Sequence, residues 1–537
     1  MTEVGINLAP INYWSTEDPF IDRFKTSGAW QASNGATIAL DSNGYPEGIP
    51  AGASNIMAAV SVDSIDSGNS NIYTMTYDGS GNINILGSKI LSSVNGTITF
   101  QATSSIVVLQ ISSMSATDPV SDIHIVRSDQ MDLYKSGEIF NPAFIDKISQ
   151  LDTIRFMDWE NTNTLAPVSW DDRTQVSDAS WKTAPIETMV ALANESHTNM
   201  WFNIPTEADD AYVTQALTYI RDHLDPSLKV QVEYSNEVWN SAFAARGYAQ
   251  AEGEQVLGAD ASNAAALYYG YRSAQIASIG KSVFGDSADA RLDNVVSGFV
   301  GSPSWNAQVM LGIEKANLGS ANSLFSDFAI ANYFGLSTGN AADQNTILGW
   351  AQSGQAGIDA AFNEMLNGGT LSGDQSLAAL AKLYVAQESL ANTYGLNLVS
   401  YEGGVSLTSY QFSASQQATV TAFFQELAND PRMGTLYTKL INDFVAAGGD
   451  AMNAYNDAGT GGVWGQWGTL NDIYDSGSAR FDALVAANDH TDTRSNVVLA
   501  DGPLAVNGTS GNDTFTTINN AIISGGRATI RTISIVR

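Results

Sequence analysis

The sequence predicts an α/β fold: a (β/α)8 barrel of the TIM type that carries an inserted β-sandwich and ends in a short Gly/Asn-rich C-terminal tail. Three observations predict it. β-rich runs alternate with helical patterns until eight strands have been counted. The alternation is interrupted once, from about residue 28 to 127, by a charge-poor stretch of short alternating runs. After residue 490 the helical pattern is lost. A chain of 537 residues with 44% hydrophobic content can bury a large core, yet exceeds one ordinary domain unless a barrel carries insertions.

Taken in order, Val4-Gly5-Ile6-Asn7-Leu8 reads as the first strand. The interrupting stretch is rich in Ser, Thr, Asn, Gly, Ile and Val, and its runs at 71–77 and 96–100 alternate polar with apolar residues. Turn signals at Asp78-Gly79 and Asn95-Gly96 divide it, as expected of a sandwich of antiparallel strands. Helix–strand alternation resumes at Asn141-Pro142, with a helix over 142–151 before a strand over 153–159, and a helix over 185–193 before a strand over 199–205. A helix over 211–224 precedes the strand that leads into Glu237, and helices over 264–284 and 304–316 precede strands over 294–299 and 325–333. A helix over 377–394 precedes the strand that ends at Glu402, and one over 433–447 precedes the last strand, 451–456. The expected division is therefore a barrel of 1–27 and 128–490, a sandwich of 28–127 and a tail of 491–537. No Pro- or Gly-rich linker marks either junction of the insert, so a rigid seat beside the C-terminal rim of the barrel is expected, where it would extend a cleft.

Charge narrows the partners. The chain has 24 Lys+Arg against 56 Asp+Glu, a formal net charge of −32, which repels nucleic acid and anionic membrane surfaces. No run of about 18 apolar residues suggests a membrane span. With no cysteine, the chain has no disulfide, thiolate nucleophile or Cys-ligated zinc, and its four histidines fall in no paired motif. No cofactor is expected for catalysis. The start lacks a basic segment followed by an apolar one, so export, if any, is expected to use another signal, and the protein is expected to be a monomer.

Two strings stand out: Glu233-Tyr234-Ser235-Asn236-Glu237-Val238-Trp239-Asn240 and Val399-Ser400-Tyr401-Glu402-Gly403-Gly404. Each closes a β-like run with a glutamate, at the rim where a parallel barrel carries its chemistry. Paired carboxylates suit hydrolysis of a glycosidic bond, one attacking the anomeric carbon while the other protonates the departing oxygen. By strand count, Glu237 falls on the fourth strand and Glu402 on the seventh.

On those residues the chain resembles clan A of the glycoside hydrolases, retaining (β/α)8 enzymes whose acid/base follows an asparagine on strand four and whose nucleophile ends strand seven. The resemblance implies that Glu402 is the nucleophile, Glu237 the acid/base and Asn236 a donor to the sugar 2-hydroxyl. It implies that Arg155 lies beneath the nucleophile and that Tyr333, ending strand six, touches it. Arginine would hold Glu402 ionised, whereas Glu237 needs a raised pKa. The strings Arg155-Phe156-Met157-Asp158-Trp159, Glu233 to Asn240, Tyr401-Glu402-Gly403-Gly404 and Trp464-Gly465-Gln466-Trp467-Gly468 also resemble a group of bacterial proteins labelled cellulose-binding or glycoside hydrolase-like, over residues 1–485. The implied substrate is a β-linked polysaccharide or oligosaccharide, with β-glucan the first guess. Asp158, Trp159, Trp239, Trp464 and Trp467 lie near strand ends and would line its cleft.

Residues 506–515 resemble the opening of a calcium-binding nonapeptide repeat of the RTX type, which implies calcium ligation by Asp513 and secretion by type I export. Only one copy is legible. Two other readings stay open: a carbohydrate-binding barrel that has lost turnover, and an extracellular adhesin or matrix protein that binds through its insert and tail.

Overall fold

The computed structural model describes residues 3–63, 70–94, 96–166 and 168–488, with four short backbone strands in the tail. Of those, Ala505–Asn507 pairs in parallel with Ile522–Ser524, and Thr517–Ile518 with Ile535–Val536. Asp513, the expected calcium ligand, lies outside the described residues.

Eight parallel strands close into a barrel in chain order: Glu3–Asn7, Thr153–Arg155, Asn199–Ile204, Val230–Tyr234, Leu292–Ser297, Asp327–Gly335, Asn397–Ser406 and Ala451–Ala454. The first pairs with the last, so no edge is left open. Period-two alternation divides each strand's side chains between two environments. On strand four, Val230, Val232 and Tyr234 face the large core shared with the helices, while Gln231 and Glu233 are not part of it. A small separate cluster of Trp201, Val295, Ala329, Ala331, Val399 and Tyr401 fills the barrel interior.

The helices between strands include Pro142–Ile148, Ile186–Ser196, Asp210–His223, Ala264–Phe284, Pro303–Ala316, Leu377–Tyr394 and Arg432–Ala446, close to the expected bounds. The first begins with a cap from Asn141, whose side chain accepts from the Ala143 amide, followed by Pro142 at N1. Helices at Ala244–Leu257, Ala341–Ala351, Gln355–Asn367 and Ala414–Asn429 were not expected. They are rich in Ala, Gln, Gly and Asn.

Two strand ends depart from expectation. Strand two stops at Arg155 instead of running to Trp159, because the chain turns there and buries Trp159 against Phe20, Phe144 and Phe156. Strand seven does not end at Glu402 but continues to Ser406 beside strand six. Between them the register shifts: Ser400 pairs with Ile330 and Glu402 with Ala331, which leaves Tyr401 in a β-bulge. The two glycines after Glu402 permit this pairing, since a Cβ on Gly403 would lie 2.6 Å from Asn332 and one on Gly404, at φ 131°, would lie 2.6 Å from the Tyr437 hydroxyl.

Between barrel strands one and two lie two four-stranded antiparallel sheets. One contains Gln31–Ala32, Ile56–Ser61, Ile106–Met114 and Gly81–Leu86; the other Ser88–Val94, Thr97–Ala102, Ile72–Asp78 and Ser121–Arg127. Their inner faces bury a core of their own, including Tyr73, Phe100, Val107 and Leu109. The seat on the barrel is ionic. Asp63 pairs with both Arg23 and Arg127, and Arg23 reaches Asp18 at 2.6 Å. The Tyr474 hydroxyl accepts from Arg23 at 2.9 Å and from Asn141 at 2.8 Å. Lys25 Nζ donates to the Asp178 carbonyl at 2.7 Å. Asp18, Asp178 and Tyr474 lie in loops that follow strands one, two and eight, so the sheets are anchored to the C-terminal rim of the barrel and not to its opposite face.

Candidate active site

Arg155, the last residue of strand two, is wholly buried and uses all of its donors. Nη2 donates to Glu233 Oε2 at 2.7 Å and to Asn236 Oδ1 at 2.9 Å, and Nε reaches Glu233 Oε2 at 3.2 Å. Nη1 donates to Asn7 Oδ1 at 2.9 Å and to Glu402 Oε2 at 3.5 Å. The expected contact with Glu402 is present, but the shorter bonds go to Glu233. That carboxylate also accepts from Trp201 Nε1 and Asn203 Nδ2, both at 2.9 Å, and from the Ser297 hydroxyl. A carboxylate with this many donors is a fixed counter-ion.

Glu237 is placed by a strained turn. Beyond strand four, Ser235 at φ 60° and Glu237 at φ 41° both occupy the left-handed region, at a cost of order 1 kcal/mol each for residues with a Cβ. Hydrogen bonds hold the turn: Ser235 N to the Ile204 carbonyl at 2.8 Å, the Ser235 and Thr206 hydroxyls to each other at 2.8 Å, and Asn240 N to the Glu237 carbonyl at 2.7 Å. The Glu237 carboxyl accepts from Asn240 Nδ2 at 2.9 Å and from the Tyr401 hydroxyl at 3.1 Å. Tyr401 in turn accepts from Trp239 Nε1 at 3.0 Å.

The bulge in strand seven explains how neighbouring residues meet one site. On a regular strand Tyr401 and Glu402 would point to opposite faces; with Tyr401 unpaired, its hydroxyl reaches Glu237 while Glu402 faces Arg155. The carboxyl groups of Glu237 and Glu402 lie in hydrogen-bonding contact.

Both carboxyls are pushed up, chiefly by burial. For Glu402 the rise is large, because the charge of Glu237 adds to burial and Arg155 only partly opposes them. Arg155 acts on Glu402 in the expected direction, but burial and the Glu237 charge outweigh it, and the guanidinium's shorter bonds go to Glu233. For Glu237 the hydrogen bonds from Asn240 and Tyr401 moderate the rise. Burial of both groups and the charge of Glu237 on Glu402 favour a proton held on the pair.

Around the pair, Tyr455 donates to Asp158 Oδ2 at 2.9 Å, and burial pushes the Asp158 carboxyl up to about 6. Tyr333, Tyr455 and Trp467 form an edge-to-face aromatic wall, with Trp467 at 5.5 Å from Tyr333 and 5.9 Å from Tyr455. Burial raises the Tyr333 hydroxyl pKa, and the charge of Glu402 raises it further. Trp239 stacks on Phe299 at 4.2 Å. Asn236 is brought in, but its amide is already engaged, Oδ1 by Arg155 and Nδ2 by Asn163 at 3.0 Å. Trp464 stands apart, 72% exposed. Trp159 is not a cleft residue: it is fully buried in the core outside the barrel, out of reach of any ligand.

Glu233, Tyr401, Tyr455 and Phe299 were not among the expected site residues. Glu233 could have been found by parity, since it shares the inward face of strand four with Gln231. Tyr401 could not, because its inward reach depends on a bulge that no local signal announces.

No protein-family model and no curated protein matches the chain. Among solved structures, it is similar to the paired CBM22-1 and GH10 modules of a Clostridium thermocellum endo-1,4-β-D-xylanase complexed with xylohexaose, at 12% identity and TM-score 0.36, covering 89% of this chain and 97% of that one. A fungal β-1,4-galactanase is similar at 11% identity and TM-score 0.33, over 67% of this chain and 97% of its own. A broad-specificity GH5-4 endoglucanase from a Clostridium species is similar at 14% identity and TM-score 0.31, over 64% and 84%.

Proposed function

We propose that the protein is a retaining glycoside hydrolase acting on β-linked polysaccharide or oligosaccharide. The observation that carries this reading is the contact between Glu237 and Glu402 at the C-terminal mouth of a closed parallel barrel, above a buried arginine. Glu402 attacks the anomeric carbon as the glycosidic oxygen takes a proton from Glu237, and a covalent glycosyl ester forms. Glu237, now a carboxylate, removes a proton from water, which attacks the same carbon and releases Glu402. The charge on Arg155 favours the leaving carboxylate of Glu402. Substrate that enters between the two carboxyls separates them, and the first step requires Glu237 to carry the proton. Secretion and an extracellular polymer as substrate complete the reading.

One observation favours exchanged roles: the nearest neutral donors, Asn240 and Tyr401, point at Glu237 and not at Glu402. Incubation with a panel of activated 2-deoxy-2-fluoro β-glycosides of glucose, xylose, mannose and galactose, followed by peptide mass mapping, tests both assignments. Label on Glu402 supports the proposed roles, label on Glu237 exchanges them, and inversion of anomeric configuration in the product sinks the double displacement.

A further inference from the structure

We infer that Tyr410 and Trp464 form an outer subsite that stacks a neutral sugar ring of a polymeric substrate, beyond the residue held between Glu237 and Glu402. This rests on the hydrolase reading for its direction but not for its binding chemistry. The two rings stack at 5.2 Å and 25°, yet Trp464 is 72% and Tyr410 45% exposed, so a broad aromatic face is open to solvent. Large apolar side chains left in water this way mark a binding surface.

The platform is built, not loose. Tyr410 lies in the segment after strand seven and Trp464 in the loop after strand eight, and Ser409 N donates to the Val463 carbonyl at 2.9 Å to tie them. Gly462 and Gly465 exchange backbone hydrogen bonds at 2.9 and 3.2 Å, which closes the hairpin under the indole. Gly465, at φ 150°, cannot carry a side chain, because a Cβ would lie 2.2 Å from the Trp467 ring. Trp467 Nε1 donates to the Trp464 carbonyl at 3.1 Å while its ring packs against Tyr333 and Tyr455. Trp467 thus ties the loop that carries Trp464 to the aromatic wall of Tyr333 and Tyr455.

Charge identifies the occupant. In a chain of net charge −32, residues 403–425 and 458–471 contain no Asp, Glu, Lys, Arg or His. A polymer carrying carboxylates or ammonium groups would find no counter-charge from these segments. A neutral glycan has apolar C–H faces to lay on the rings and hydroxyls to meet amides and hydroxyls at the edge. On the hydrolase reading, a platform set apart from Glu237 and Glu402 would engage a sugar other than the one being cleaved, which favours an oligomeric or polymeric substrate.

The test is affinity electrophoresis of the full-length Glu402→Gln protein, in which turnover is silenced, through gels containing hydroxyethylcellulose, arabinoxylan, galactan or polygalacturonate. At least one neutral polymer should retard it, and polygalacturonate should not. Trp464→Ala or Tyr410→Ala in that background should weaken retention about tenfold, equivalent to ~1.4 kcal/mol, with an unchanged melting temperature, while Trp464→Phe keeps most of it. Retention unaffected by both alanine variants, no retention by any neutral polymer, or equal retention by polygalacturonate would each overturn the inference. If retention depends on Trp464 while the wild-type protein cleaves neither polymers nor aryl glycosides, the subsite stands and the hydrolase reading fails.

Discussion

Arg155 Nη2 lies 2.7 Å from Glu233 Oε2, whereas Nη1 lies 3.5 Å from Glu402 Oε2, so the buried cation beside the Glu237–Glu402 pair is matched first to a third glutamate. Glu233 thereby sets how much positive charge Glu402 feels. Glu233→Gln keeps the hydrogen-bonding shape and removes the anion. Arg155 then acts more fully on Glu402 and lowers its pKa, so the acid limb of the pH–rate profile should move down by about one pH unit. A profile that loses amplitude without moving would assign Glu233 a purely structural role.

The proposed roles of Glu237 and Glu402 give a second expectation. Glu402→Gln should lower turnover by several orders of magnitude on every substrate. Glu237→Ala should retain activity on aryl glycosides whose leaving group needs no proton, and azide should accelerate it by replacing water in the second step. Chromogenic assays with and without azide check this, and azide acceleration of the Glu402 variant alone would exchange the roles.

A carboxyl pair away from the site sets a pH dependence of stability. Glu17 and Asp457 are buried in mutual contact, and the Ala9 amide donates to both, at 3.1 and 2.9 Å. Burial pushes Glu17 well up and Asp457 up to about 7. A carboxyl held protonated by the fold stabilises it fully below the unfolded pKa of about 4, and that contribution is lost as pH rises through the folded value. The melting temperature should therefore fall between about pH 4 and 8, and Asp457→Asn should flatten that fall. Parallel melting curves for the two proteins would count against the shared proton.

The seat of the sheets depends on Asp63, which pairs with Arg23 and Arg127 at the barrel rim. Asp63→Ala removes the anion shared by two guanidiniums and leaves Arg23 to Asp18 and Arg127 to Asp129, at a cost of about 1–3 kcal/mol. Chemical denaturation should show that loss, and a variant as stable as wild type would mean that the sheets are held mainly by apolar contacts.

Exhaustive chelation should leave turnover intact, because two carboxyls and water supply every covalent and proton-transfer step of the proposed mechanism. Activity lost to chelation and restored by zinc or manganese, but not calcium, would replace it with metal-assisted hydrolysis.

The sequence alone determined the eight strands, their order, the association of Glu237 with strand four and of Glu402 with strand seven, and the interruption between strands one and two. Those features follow from local signals: period-two apolar runs, helical periodicity, turn dipeptides and chain order. Tertiary structure decided what local signals do not encode. Whether Trp159 faced a cleft or the core depended on where strand two stopped, and it stopped four residues early, turning the indole onto Phe20 and Phe144. Which anion Arg155 served depended on residues 78 and 247 positions away, Glu233 and Glu402, meeting across the barrel. The bulge at Tyr401, which turns two neighbouring side chains onto one site, arises from the register between strands six and seven. Pairing register and the neutralisation of a buried charge belong to contacts between distant segments, so they come into being only when the barrel closes.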